Sequence, residues 1–230
     1  MLDDTAAIGA IWDLDGTLAD TEQAHFRAWQ VFCKRHGRDL TWDEFKPTFG
    51  LGNGDILHML LSDQLSEAEI ARMSSEKEAT FREVSGGVIA PMPGARQLVA
   101  HLHEIGVRQA IGSSAPPENI AFVLAALELE SQLRTTVSRW EVEDGKPAPD
   151  IFLLAAEKLG IAANRCFVLE DAPPGLQAAR AAGMRCIALA STWPETALGS
   201  ADLIVRDLQD VVWDRDTYAA FVEQGLTPGR

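Results

Sequence analysis

Residues 13–18, with the sequence DLDGTL, constrain the fold most, because they end the apolar run 8–12 with two carboxylates. If that run is a buried strand of a parallel sheet, Asp13 and Asp15 share a side at its carboxyl end, where α/β sheets bind ligands. Such a pair supplies a nucleophile and a proton carrier, and it attracts a divalent cation that offsets the repulsion between the two acids. A strand followed by a plain Asp-Gly turn is the structural alternative.

Two later segments also place polar groups where an anion would be bound. Ser113 and Ser114 end the run that begins at Ala110, and a hydroxyl or backbone N–H there suits an anionic oxygen; a helix N-cap is the alternative. Lys146 lies in the proline-stiffened segment GKPAPD, which would hold its ammonium group as a fixed point charge. A solvated loop lysine is the plain alternative.

Glu170 and Asp171 follow a third apolar run, 166–169. Asp171 is a reasonable N-cap for a helix that starts at the prolines 173 and 174, but that reading leaves Glu170 without a role. The two adjacent acids are therefore further candidates for the site at the strand ends.

These four segments, DLDGT, the serine after a strand, GKPAPD and LEDAPPGLQAARAAGM, resemble in this order the motifs of the haloacid dehalogenase-like superfamily. The resemblance covers nearly the whole chain. It is closest to the branch with a helical cap after the first motif, which contains β-phosphoglucomutases and small sugar-phosphate phosphatases. It implies an α/β fold, with a Rossmann-like parallel sheet as the core and an inserted helical cap domain.

Periodicity predicts the same organisation. Strand-like runs at 8–12, 107–111, 135–138, 166–169, 185–189 and 203–205 alternate with helical patterns that start at 94, 117, 150 and 174. Between them, helices are predicted near 21–37, 41–48, 53–62 and 66–84. We therefore predict a catalytic core of residues 1–18 and 92–230 and a cap of residues 19–91, joined by two short hinge connections. Residues 224–230 are predicted to be frayed.

Composition restricts the partners. The net charge of −14 argues against nucleic acid and anionic membranes, since both would be repelled. The three cysteines, at 33, 166 and 186, lack metal-ligand spacing and are expected to be reduced core thiols. The start of the chain lacks the pattern of a signal peptide, so a cytoplasmic protein is expected, as a monomer or weak homodimer.

The resemblance assigns roles to the core residues. It implies Asp13 as the nucleophile, Asp15 as the general acid and base, and Ser113 and Lys146 as the groups that stabilise charge on the phosphoryl oxygens; the Ser114 backbone remains a candidate from the residues alone. It implies Mg²⁺ as the cofactor, with Asp13, the Asp15 carbonyl and Asp171 as ligands and Glu170 as a direct or water-mediated one. The charge argument also requires a cation, because these acids would otherwise repel a phosphorylated metabolite.

The cap decides between phosphatase and mutase. His25, Trp29 and Lys77 match cap positions of mutases. Each also has a purely structural interpretation: His25 as an exposed histidine, Trp29 as a core aromatic and Lys77 as a solvated charge. Asn53 stands where the mutase pattern has an arginine for the distal phosphate, and an amide does not replace a bidentate cation. Residues 115–117, APP, also replace the polar groups that mutases carry there. These departures favour hydrolysis.

The sequence therefore predicts a magnesium-dependent phosphatase of a small phosphorylated metabolite, a sugar phosphate by resemblance. The mutase is the alternative. A haloacid dehalogenase needs no metal and lacks the second aspartate of the first motif, so Asp15 and the acids at 170 and 171 argue against it. A non-catalytic binding module would be expected to have lost a catalytic group, and a test of metal-dependent activity separates it.

Overall fold

The computed structural model describes residues 7–225, and the chain divides into two compact units. The core unit comprises the residues up to Asp20 and those from Ala90 onward, and the cap unit comprises Thr21–Ile89. Among residues 7–225, no helix is long and apolar enough to cross a membrane. Of the segment predicted to be frayed, Gln224 ends a helix, and residues 226–230 lie outside the described part of the chain.

All described strands belong to the core unit. They are β1 (Gly9–Trp12), β2 (Ala19–Asp20), β3 (Ala90–Pro91), β4 (Arg108–Ser113), β5 (Thr135–Ser138), β6 (Cys166–Glu170), β7 (Arg185–Leu189) and β8 (Leu203–Val205). The main sheet has the order β5-β4-β1-β6-β7-β8, and every pair in it is parallel. The strand order reverses at β1, so its carboxyl end lies at the topological switch point of the sheet. The predicted α/β fold with a parallel sheet is confirmed.

Helices cover this sheet and form the cap. The cap helices are α1 (Glu22–Arg35), α2 (Trp42–Phe45), α3 (Asn53–Leu60) and α4 (Glu67–Val84). The core helices are α5 (Ala95–Glu104), α6 (Pro117–Leu127), α7 (Asp150–Leu159), α8 (Pro173–Ala181) and α9 (Arg215–Gln224). Short 3₁₀ segments lie at Lys46–Thr48, Arg139–Glu141, Ala163–Arg165, Glu195–Ala197 and Leu208–Val211.

The core packs on both faces of β1, whose four residues are all buried. Ile11, Val168 and Phe152 belong to one apolar cluster, and the buried faces of α7 and α8 contribute the rest of its helical residues. Gly112 allows this close packing, because a Cβ there would lie 3.0 Å from the Phe152 ring. Burial on both faces explains why these strands read as continuous apolar runs in the sequence.

The cap unit has its own apolar core, in which Trp29, Phe32, Phe45 and Leu57 are buried together. Capping boxes begin α2 and α4, at Thr41 with Glu44 and at Ser66 with Glu69. The helix predicted over 41–48 is α-helical only to Phe45 and continues as a 3₁₀ segment that contains Pro47, which lacks a backbone donor.

Two parts of the core unit were missed by the sequence prediction. β2 and β3 form an antiparallel ribbon, in which Ala19 pairs with Pro91 and Asp20 with Ala90, at the two positions where the chain passes between core and cap. Strands of two residues carry no periodicity, so the sequence predicted only connections there. Helix α9 was also not predicted.

Candidate active site

Three polar residues lie at the carboxyl ends of neighbouring strands of the sheet. Asp13 directly follows β1, Ser113 ends β4, and Glu170 ends β6; β4 and β6 flank β1. The backbone N–H of Asp13 also donates to the carbonyl of Leu169 at 2.9 Å, which extends the ladder as far as this residue. The carboxyl ends of the central strands therefore carry the candidate site.

Asp13, Glu170 and Asp171 form a buried acidic cluster, in which one carboxylate oxygen from each lies within 4.8 Å of the others. Their exposed fractions are 7%, 1% and 3%. Burial raises the pKa of Asp13 from 3.8 to about 7; Lys146 opposes the rise, and Glu170 adds to it. Burial, with Glu170 and Asp13, also raises the pKa of Asp171 well above its ordinary value. Three ionised carboxylates this close require a positive charge, and an all-oxygen donor set is the one that Mg²⁺ prefers.

Lys146 supplies part of that charge. Its ammonium group donates to Asp13 and, at 2.9 Å, to Oε1 of Glu170, and it lies 4.7 Å from the centre of the Phe152 ring. Burial by itself lowers the pKa of Lys146, but the two carboxylates outweigh it and leave the pKa above its ordinary value. The lysine is therefore a buried cation between two acids, and it is not a solvated loop residue.

Glu170 is held by the backbone that follows it. Its Oε2 accepts hydrogen bonds from the N–H groups of Asp171 at 2.7 Å and Ala172 at 2.6 Å. The N-cap of α8 is Ala172, so the alternative reading of Asp171 as a cap does not hold. Gly175 makes room for the carboxylate, because a Cβ there would lie 1.7 Å from Oε1 of Glu170. The sequence prediction missed Gly175, since its importance depends on this approach.

The turn after β1 is organised around Gly16, which has a φ of +86°. Its N–H donates to the carbonyl of Ala19 at 2.8 Å, and a Cβ there would lie 2.3 Å from Oδ2 of Asp171. Glycine is thus required both for the left-handed conformation and for the approach of the acid. Asp15, the predicted acid and base, is half-buried and contributes to the raised pKa of Asp13.

Three hydroxyl residues around this turn were not singled out in the sequence. Thr17 Oγ1 donates to Oδ1 of Asp171 at 3.1 Å, and the Thr192 hydroxyl interacts with the same carboxylate, which it adjoins at Gly16. Ser191 Oγ donates to the carbonyl of Gly16 at 2.6 Å. Thr17 lies in the DLDGTL motif, but Ser191 and Thr192 lie in a loop after β7 that carries no pattern indicating a site.

Ser113 and Ser114 differ in their surroundings. Ser113 is buried, and its Oγ accepts a hydrogen bond from the N–H of Ala115 at 3.0 Å, whereas Ser114 is exposed. Neither residue is the N-cap of α6, which is Pro116. The proposed anion-binding role of the Ser113 hydroxyl and the Ser114 backbone stays a prediction.

The predicted cap residues meet around Lys77, which is 1% exposed. Its Nζ donates to Nδ1 of His25 at 2.9 Å and to Oε1 of Glu78 at 2.9 Å, and it lies 5.3 Å from the centre of the Trp29 ring. Asn53 Nδ2 donates to the same Glu78 oxygen at 2.7 Å. Lys77 is therefore not a solvated charge, and Trp29 is a core aromatic of the cap as well as a neighbour of this lysine.

Glu78 was missed by the sequence prediction, yet it joins Lys77 to Asn53. Burial raises the pKa of Glu78, but Lys77, His25 and Asn53 outweigh burial and leave the pKa below its ordinary value. The carboxylate is thus held ionised next to the ammonium group. We call His25, Trp29, Asn53, Lys77 and Glu78 the cap cluster; its one ammonium and one carboxylate balance each other.

A parallel sheet with a cluster of buried acids at its switch point defines the protein as an α/β enzyme with a candidate metal site. Residues 9–183 match the model of the haloacid dehalogenase-like hydrolase family, and the chain belongs to this family. The resemblance on which the sequence interpretation depended is therefore confirmed.

The relatives of this chain include two bacterial phosphatases. The chain is 35% identical over 207 residues to Hexitol phosphatase A of Escherichia coli, covering 88% of this chain and 92% of the relative. It is 31% identical over 180 residues to the Fructose-1-phosphate phosphatase YqaB of Escherichia coli, covering 78% and 94%. It is also 35% identical to Protein SUPPRESSOR OF QUENCHING 1, chloroplastic, of Arabidopsis thaliana, but it spans only 19% of that protein.

Among solved structures, the β-phosphoglucomutase of Clostridium difficile has the same fold. The TM-score is 0.75 at 24% identity, over 89% of this chain and 93% of that one. At this identity the likeness concerns the fold alone.

Proposed function

We propose that the protein is a magnesium-dependent phosphatase that removes one phosphate from a small phosphorylated sugar or polyol. The observation that carries this proposal is the buried cluster of Asp13, Glu170 and Asp171 with the ammonium group of Lys146 against two of its members. A carboxylate held beside fixed positive charge is suited to attack a phosphorus atom whose oxygens carry negative charge. The two bacterial relatives, Hexitol phosphatase A and the Fructose-1-phosphate phosphatase YqaB, support this substrate class by their names.

In the first step, an oxygen of Asp13 forms a bond to phosphorus while the ester P–O bond breaks. The leaving alkoxide takes a proton from Asp15, so the alcohol departs neutral. Lys146 and Ser113 stabilise the charge on the transferring oxygens. Because burial raises the pKa of Asp13 to about 7 even with Lys146 beside it, further positive charge is needed to keep this nucleophile fully ionised.

In the second step, Asp15 takes a proton from water as the water oxygen attacks the phosphorus. The bond between phosphorus and Asp13 breaks, inorganic phosphate leaves, and the carboxylate of Asp13 is restored. Asp13, the Asp15 carbonyl and Asp171 would hold Mg²⁺, with Glu170 as a direct or water-mediated ligand. When bound, Mg²⁺ neutralises charge on the acids and on the phosphoryl oxygens.

We propose that the cap cluster selects the substrate, and its charge favours a monophosphate. The carboxylate of Glu78 neutralises Lys77 and also engages Asn53, at the position where the mutase pattern has an arginine. A balanced cluster suits hydroxyl groups, whereas a second phosphate needs an uncompensated cation. A phosphosugar mutase is the second candidate, favoured by the cap positions of His25 and Lys77.

The test is a screen of phosphorylated metabolites with magnesium in which both phosphate release and phosphosugar isomerisation are measured. We expect phosphate release from hexose and hexitol monophosphates. With β-glucose 1-phosphate and a trace of the 1,6-bisphosphate, we expect phosphate release with little glucose 6-phosphate. Isomerisation that outpaces phosphate release would instead establish the mutase, and no metal-dependent turnover of any phosphoester would contradict both activities.

A further inference from the structure

The loop after β7 contacts both the turn after β1 and the buried acid Asp171. Ser191 Oγ donates to the carbonyl of Gly16 at 2.6 Å, and the Thr192 side chain interacts with the carboxylate of Asp171. A Cβ on Gly16 would lie 2.3 Å from Oδ2 of Asp171 and 2.6 Å from Oγ1 of Thr192. The acid and the threonine hydroxyl are thus both packed against the same face of this glycine.

Asp171 is therefore flanked by hydroxyl groups from two distant parts of the chain. Thr17, in the turn after β1, donates to Oδ1 at 3.1 Å across 154 residues, and the Thr192 hydroxyl, from the loop after β7, lies beside the same carboxylate. A carboxylate that is 3% exposed and enclosed by two hydroxyl side chains has little freedom to rotate. Groups that orient a metal ligand in this way raise the affinity for the metal without touching it.

We propose that Thr192 is a positioning residue whose hydroxyl holds the carboxylate of Asp171 in the orientation that binds the divalent cation. Ser191 ties the same loop to Gly16, so that the ligand and the turn bearing the nucleophile keep a constant spacing. This inference rests on the proposed function, in which Asp171 is a metal ligand. It assigns a role to a loop whose sequence carries no recognisable motif.

Two variants separate the effect of the Thr192 hydroxyl from the effect of the side-chain shape. Thr192→Val removes the hydroxyl and keeps the volume and β-branching, whereas Thr192→Ser keeps the hydroxyl and loses a methyl group. Thr135→Val, a half-buried position on β5, is the matched control for the same chemical change elsewhere in the core unit. If the hydroxyl positions Asp171, only Thr192→Val lowers the affinity for the cation.

The experiment measures Mn²⁺ binding by the full chain, from the electron paramagnetic resonance signal of the free ion. We expect Thr192→Val to raise the dissociation constant by about 10-fold, as for other residues that orient metal ligands. We expect Thr192→Ser and Thr135→Val to stay close to the wild type. At saturating Mg²⁺, the KM of Thr192→Val for a phosphoester should match that of the wild type, because the substrate contacts are unchanged.

Wild-type affinity in Thr192→Val, or an equal loss in Thr135→Val, would overturn the proposal. So would a lower Tm of Thr192→Val with an unchanged dissociation constant, which indicates a structural role alone. Wild-type protein that binds Mn²⁺ but hydrolyses no phosphoester would contradict the proposed function and leave the Thr192 comparison intact. Wild-type protein that binds no Mn²⁺ would overturn both.

Discussion

Lys146 donates a hydrogen bond to Asp13, a residue 133 positions earlier in the chain, and the side chains of both are at most one-tenth exposed. The loop after β5 and the end of β1 thus bring a cation and an anion together inside the core unit. A buried charge that loses its partner is costly, so each member of this pair depends on the other. Their contact places fixed positive charge beside the carboxylate that we propose as the nucleophile.

Asp13→Asn should abolish turnover while the fold is retained. The amide is nearly isosteric but cannot attack phosphorus, so we expect a loss of at least about 10³-fold in kcat. The measurement is phosphate release by the purified variant, with circular dichroism as the check on folding. Beryllium fluoride should inhibit the wild type as a phosphoryl mimic on this carboxylate. Appreciable activity of a clean variant would exclude Asp13 as the nucleophile.

Asp171→Asn should stabilise the metal-free protein at neutral pH and remove its response to magnesium. The folded pKa of Asp171 lies well above the unfolded value of 3.8, so ionisation in the fold costs stability. That cost is absent below the unfolded pKa and grows as the pH rises above it. We therefore expect the Tm of the variant, measured with chelator, to rise relative to that of the wild type as the pH increases from 4 to 8. The Tm difference should be about 2–4 °C for each kcal/mol of ionisation cost that the substitution removes.

Added Mg²⁺ should raise the Tm of the wild type but leave Asp171→Asn unchanged, since the variant lacks a ligand oxygen. Ser113→Ala is the control, because it removes a site hydroxyl that is not a proposed ligand, and it should still respond to Mg²⁺. A Tm difference between Asp171→Asn and wild type that is the same at pH 4 and pH 8 would contradict this assignment of charge.

Gly175→Ala should impair the site through Glu170. The added Cβ would lie 1.7 Å from Oε1 and 2.0 Å from Cδ of Glu170, so the carboxylate must leave the position in which it accepts the hydrogen bond of Lys146. We expect lower Mg²⁺ affinity, lower kcat and a loss of about 1–3 kcal/mol in the free energy of unfolding. Gly199→Ala is the matched control, because a Cβ there meets no atom within 4 Å. Equal behaviour of the two variants would show that the close approach at Gly175 is unimportant.

Glu78→Ala should destabilise the cap unit, because it leaves the buried ammonium of Lys77 without its counter-ion. Removal of one partner of a buried pair costs about 3–5 kcal/mol. The measurement is hydrogen exchange of the α4 amides, which reports the opening free energy of that helix. Glu83→Ala on the same helix is the control, since its pair with Arg35 is exposed and should be worth at most about 1 kcal/mol. Comparable losses in both variants would contradict a special role for Glu78.

The sequence by itself determined the six strands of the main sheet, the helices α1 to α8 and the order of the motifs. Continuous apolar runs marked the strands of the sheet, because burial on both faces requires them, and helical periodicity marked the cap. The acids at 13, 15, 170 and 171 and the lysine at 146 were recognisable because each follows a strand or lies in a loop of restricted conformation. Patterns of this kind involve only residues that are close together in the chain, so they can be recognised without the fold.

Only the tertiary structure decided which groups meet. The parallel sheet, with its order reversing at β1, brings Asp13, Lys146 and Glu170 together, and a close approach makes Gly175 necessary. The contact of Thr192 with Asp171 and the bond of Asn53 to Glu78 had no signal in the sequence. Contacts such as these join residues that are far apart in the chain. They depend on where whole strands, helices and loops are placed by packing, and no pattern in neighbouring residues encodes that placement.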